Sequence, residues 1–153
     1  MKSGFLVKLI IILIVVALFA MGVILALKEP TQQTSDQGGQ GPTTTISTPR
    51  GNVEVKDFTR NPVERVGDVL ALEENKDFSI VYFSEGNSFL ITLNSQPVQE
   101  ARNKAETALL DHLGIGKGEA CNLNVSLTVP YDVDPNLAGK DYGLSFCVNS
   151  AGF

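Results

Sequence analysis

The sequence predicts an α+β domain, one antiparallel sheet of four to six strands with a single main helix across a face, carried behind an N-terminal transmembrane helix. Three observations lead there. Residues 78–93 hold two runs of β-forming residues separated by a short polar loop. Residues 97–113 repeat small and apolar side chains at helical spacing and stop at Gly114. Leu9 to Leu27 is an unbroken run of 19 residues with no charge, amide or proline.

The apolar run comes first in the chain. At about 1.5 Å per residue it matches the ~30 Å hydrocarbon core of a bilayer, so residues 9–27 are expected to contact lipid all round. Lys2 and Lys8 precede it, whereas Lys28 and Glu29 cancel on the far side. The excess of positive charge places residues 1–8 in the cytoplasm and everything from residue 28 outside it. A cleavable signal peptide has a shorter apolar region, about 7–15 residues, ending at a small-x-small site. Ile24-Leu25-Ala26 fits that site poorly, so the helix is expected to remain as a single-pass anchor in the cytoplasmic membrane. No cysteine follows the helix, which rules out a lipoprotein. Gly4-Phe5 resembles the processing site of type IV pilins, but Leu9 stands where that family has glutamate, and the helix runs into Pro30 instead of continuing. A pilin-like or secretion-apparatus subunit is therefore the alternative to a plain anchor.

Residues 28–50 are Thr, Gln, Gly, Ser and Pro with almost no large apolar side chain, and a disordered linker is expected there. Such a chain reaches roughly 25–28 Å, and the folded domain is expected over residues 51–153. Four basic groups against two acidic ones give residues 1–50 a charge of +2, while residues 51–153 hold eight basic and fifteen acidic groups, −7. A domain so acidic repels phosphate backbones, so no nucleic-acid partner is expected.

Val53 and Val55, with Phe58 near the end, start a short strand. Asn61-Pro62 marks a turn, and Val69 to Leu72 fits either a strand or a helical turn. Phe78–Phe83 and Ser88–Leu93 then form a hairpin, with Phe78, Ile80 and Tyr82 on one face and Phe89, Ile91 and Leu93 on the matching face of the partner. Ser95-Gln96-Pro97 opens the helix. Val98, Ala101, Ala105, Leu109 and Leu113 make its buried stripe, while Glu100, Arg102, Asn103, Lys104, Glu106 and Asp111 are expected to face elsewhere. Gly114 and Ile115 suit a Schellman end. Leu123 to Val129 alternates strictly as a half-buried strand, Pro130 stops it, residues 131–142 form a loop, and Leu144–Val148 is expected to be the last strand.

Chemistry-bearing residues are sparse. Cys121 and Cys147 are an isolated pair, expected to form a disulfide in an oxidising compartment; two free buried thiols or half a metal site are the rivals. With His112 the only nitrogen ligand and no Cys-x-x-Cys, neither metal nor cofactor is expected. Asp132, Asp134 and Asn136 alternate like the opening of a calcium loop, but Leu137 occupies the glycine position and Gly143 the position of the closing acid, so an Asx turn is expected. No nucleophile elbow, phosphate loop or acid pair appears, and catalysis is not expected.

Phe89-Leu90-Ile91-Thr92-Leu93, Pro97-Val98 with Arg102 and Ala105-Glu106, Leu113-Gly114-Ile115, Ala120-Cys121, Ala138-Gly139 and Gly143-Leu144-Ser145-Phe146-Cys147 carry a resemblance. In these segments, about half the chain, the sequence resembles small membrane proteins of bacterial candidate phyla. The resemblance implies a folded domain of a bacterial cell envelope and carries no functional residue with it. The sequence therefore leads to a non-enzymatic, membrane-anchored extracytoplasmic module with an unspecified protein partner.

Overall fold

The computed structural model describes residues 41–148 and 150–153. The expected cytoplasmic residues 1–8, the expected lipid-contacting helix 9–27 and the first part of the expected linker lie outside the described residues. Among the described residues no helix is long and apolar enough to cross a membrane.

Among the described residues seven strands form two sheets. Strands β1 (Thr43–Thr48) and β2 (Gly51–Lys56) make an antiparallel hairpin. Strands β3 (Glu64–Val66), β4 (Val69–Glu74), β5 (Phe78–Phe83), β6 (Ser88–Leu93) and β7 (Asn124–Thr128) lie side by side in chain order. Between β6 and β7 come α1 (Val98–Leu113) and the short α2 (Lys117–Ala120). Helix α1 packs across β5 and β6 and touches β2. The core is sandwiched between the five-stranded sheet and a second layer made of α1 and the β1–β2 hairpin. Over the described residues the fold is α+β, with one main helix.

The central hairpin follows its expected register: Phe78 opposes Leu93, Ile80 opposes Ile91, and Tyr82 opposes Phe89, all buried. Phe58, from a 3-10 turn over Phe58–Arg60, closes this end of the core, with its ring 5.0 Å from Tyr82 and 5.7 Å from Phe89. In α1 the stripe from Val98 to Leu113 is buried as its spacing implies. Gly114 adopts a left-handed conformation (φ +63°); the Ile115 amide donates to the Leu110 carbonyl, the 6→1 bond of a Schellman end, and the Gly114 amide donates to the same carbonyl, the 5→1 bond of an αL end.

Four expectations need correction. The linker expected to run to residue 50 ends earlier, because Thr43–Thr48 is a strand. Its β-branched threonines favour extended backbone, but Ile46 is its only buried side chain, so its composition hides it. The sheet is mixed, not purely antiparallel: β7 pairs parallel to β6, since α1 returns the chain to the starting end before β7 begins. Leu144–Val148 is not a strand. Its alternation is real, but the segment turns, with the Cys147 amide bonded to the Leu144 carbonyl. Finally, Arg102 and Glu106 do not face solvent; they are 2% and 5% exposed.

Candidate functional site

Two groups of polar side chains sit at the ends of the second layer, and each is held by α1. The first is built on Arg102 and Glu106, one helical turn apart, with Arg102 Nε 3.1 Å from Glu106 Oε1. Arg102 also donates to three backbone carbonyls, those of Tyr142 (3.2 Å), Gly143 (3.0 Å) and Ala151 (3.2 Å). Glu106 accepts the Ser145 amide at 2.6 Å and the Ser145 hydroxyl. The Phe153 ring lies 4.8 Å from the Arg102 guanidinium and 4.6 Å from the Tyr142 ring. Five donors in a planar fork suit this task, because the four bonds Arg102 makes exceed the three donors of a lysine ammonium.

The segment so gripped, residues 141–153, is tied at two further points. Cys121 and Cys147 form a disulfide, with Cα atoms 5.6 Å apart, which joins it to the end of α2. Asp141 reaches the edge of β7: its carboxylate accepts the amides of Leu127 (2.9 Å) and Gly143 (3.0 Å) and the Ser126 hydroxyl (2.8 Å). Burial alone would raise its pKa, but these three donors outweigh burial and hold it below the ordinary carboxylate value. The Tyr142 amide then donates to the Leu127 carbonyl, which covers part of the outer edge of β7. Among the described residues no buried side-chain nitrogen or oxygen lacks a hydrogen-bond partner.

The second group lines an open cleft of about 410 Å³ between the 3-10 turn, β4 and the end of α1. At its centre His112 Nε2 lies 2.9 Å from Glu73 Oε2. A β-bulge makes this contact. Leu72 and Glu73 together oppose Ile80, so Glu73 leaves the outer face of the sheet and points toward the helix. Glu73 Oε1 accepts the Asn75 side-chain amide. Across the cleft, Asp57 accepts the Thr59 hydroxyl (2.6 Å) and amide (3.2 Å) and pairs with Arg60 (2.6 Å). Those hydrogen bonds hold its carboxyl below the ordinary value. Lys56, Asn61 and Asp111 complete the polar rim. The lining contains no hydroxyl or thiol side chain. What the acid–histidine pair does is pin the C-terminal turn of α1 to β4.

The expected site residues Cys121 and Cys147 are thus brought together as a disulfide. His112, read as a solitary helix-end histidine, has a carboxylate partner. Asp134 accepts the Asn136 amide at 2.9 Å and Gln96 reaches its other oxygen, the Asx turn its sequence implied. Sequence reasoning missed the Arg102–Glu106 grip. Its one signal was an opposite-charge pair four residues apart, directly beside the Ala101–Ala105 stripe. With the geometry in hand, comparison with known proteins adds nothing: no family model, curated protein or solved structure matches this chain.

Proposed function

We propose that this chain is a membrane-anchored extracytoplasmic domain, non-enzymatic, acting as an interaction or structural module of the cell envelope. The observation that carries the reading is the Cys121–Cys147 disulfide, a bond that persists in oxidising compartments, in a chain whose residues 9–27 are long and apolar enough to anchor it. The polar groups support the non-enzymatic part. The Arg102–Glu106 grip is taken up by backbone groups and Ser145, and the cleft beside the His112–Glu73 pair is lined by no hydroxyl or thiol side chain. The envelope context also draws on the resemblance to small membrane proteins of bacterial candidate phyla.

Protease accessibility tests this. In cells producing the full chain, the protein is expected in the alkali-washed membrane fraction, and protease added outside the cytoplasmic membrane is expected to digest residues 41–153. Recovery in the soluble fraction, or a domain protected until the membrane is lysed, would overturn the proposal.

A further inference from the structure

We propose that the cleft between the 3-10 turn, β4 and the end of α1 binds a small zwitterion, a primary ammonium and an anionic oxygen group joined by a short methylene chain. The ethanolamine phosphate headgroup of a phospholipid has that chemistry. This rests on the interaction-module reading and names a ligand for it. Four charged or chargeable groups around the cleft are already matched, Glu73 with His112 and Asp57 with Arg60. Two are not. Lys56 and Asp111 both line the cleft and are exposed, yet among the described residues neither side chain has an ion-pair or hydrogen-bond partner. They are opposite in sign and flank one mouth. Asp111 is in the last turn of α1, and Lys56 Cβ lies 3.5 Å from where a Cβ on Gly114 would stand at the end of that helix.

A ligand that engages both groups carries both charges. A plain anion would meet the carboxylates of Asp57, Glu73 and Asp111, and a dication would be repelled by Lys56. The ammonium belongs at Asp111, since the C-terminal end of a helix favours a cation, and the anionic group belongs at Lys56. Between them the floor is apolar: Phe58 and Leu72 are 8% and 4% exposed, with Ala108 beside them, which suits methylene groups. The bulge in β4 turns Glu73 into this cleft, a use to which bulges are often put. At about 410 Å³ the space is within the range of small-molecule sites, roughly 300–1,000 Å³. The chain also enters the domain here, since the Asp57 amide donates to the Pro42 carbonyl at 2.7 Å. Residues 28–42, which join this point to the apolar run, span at most about 50 Å when fully extended. Under the anchor reading, phospholipid headgroups are therefore within reach. A domain with a net charge of −7 repels anionic lipid, but a headgroup of zero net charge is not repelled.

His112 is the only histidine of the sequence and lines the cleft, so its imidazole proton resonance is a unique probe. Titrating the full chain in non-ionic detergent, at fixed pH, with glycerophosphoethanolamine is expected to shift that resonance saturably. Lys56→Gln and Asp111→Asn are each expected to weaken binding about fivefold, the scale of one exposed charge contact. Lys140→Gln, exposed and outside the cleft, is expected to leave it unchanged. Ethanolamine alone, glycerol phosphate alone and glycerophosphocholine, whose ammonium has no N–H, are each expected to bind at least about fivefold more weakly. No saturable shift would overturn the proposal. So would equal binding of ethanolamine alone, the mark of a merely acidic cleft, or full affinity in both cleft variants with an unchanged melting temperature. A second arm separates the sources of the zwitterion. In bilayer nanodiscs, a shift with phosphatidylethanolamine present and none in pure phosphatidylcholine identifies the lipid as occupant; a shift that needs added glycerophosphoethanolamine identifies a free solute of the same chemistry. The detergent titration needs no bilayer, so its outcome and that of the protease test of anchorage are independent.

Discussion

Replacing Arg102 by Met should be among the most damaging single changes in the domain. Met keeps most of the side-chain volume, so packing alone costs little. What it removes is the counter-charge of Glu106, which is 5% exposed, and the donors to the carbonyls of Tyr142, Gly143 and Ala151. Glu106 keeps its two bonds from Ser145 but becomes a buried charge without a partner. Breaking a buried pair from one side costs about 3–5 kcal/mol, a third or more of what a domain this size has in total. At about 4 °C per kcal/mol the melting temperature should fall by roughly 12–20 °C. Glu106→Gln should cost far less, about 1–2 kcal/mol, since the amide oxygen still accepts the Ser145 amide and Arg102 keeps its three carbonyls. Thermal unfolding of the oxidised full chain, followed by circular dichroism, reads both. Amide exchange should show Ser145 and Ala151 losing protection first. An Arg102→Met variant melting within about 3 °C of the parent would refute the reasoning.

Three further outcomes follow from the same geometry. Cys121→Ser with Cys147→Ser removes a bridge across 26 positions and should cost about 3–4 kcal/mol, read as a lower urea midpoint. Gly114→Ala should cost about 1 kcal/mol because alanine resists φ +63°, while its Cβ meets only Lys56 Cβ at an ordinary 3.5 Å; a stabilised variant would contradict the left-handed helix end. Asp57, Asp77 and Asp141 all titrate below the ordinary carboxylate value of 3.8; for Asp77 the main cause is its bond with Lys104. Their stabilisation is therefore complete above about pH 4 and is lost as pH falls through their lower folded values. Melting temperature should therefore drop as pH falls below about 4; a melting temperature that holds or rises below that pH would contradict it.

How much of this was legible in the sequence depends on whether local pattern or long-range partners decide each element. The β5–β6 hairpin and α1 were readable because their periodicities come from burial on one face: Phe78 to Tyr82 at every second residue, Val98 to Leu113 at every third or fourth. Strand β1 was not, because its pairing with β2 holds it and Ile46 alone marks its buried side. Leu144–Val148 failed the opposite way, since its alternation suits a strand while Arg102, Glu106 and Cys121 take its backbone and side chains elsewhere. The parallel pairing of β7 was a topological consequence of a helix lying between two strands. Of the polar groups, the cysteine pair was visible because Cys121 and Cys147 are the two cysteines of the sequence. The contacts of His112 and Arg102 were hidden, since a bulge at Glu73 and a turn some forty residues on supply their partners.

The measurement that bears most directly on the account is differential alkylation of the full chain extracted from membranes and denatured, with and without reductant, read by intact mass. The account predicts that Cys121 and Cys147 take up reagent only after reduction, on a chain that still carries its N-terminal apolar segment. Two thiols labelled without reductant would contradict it, because they would place the domain in a reducing compartment.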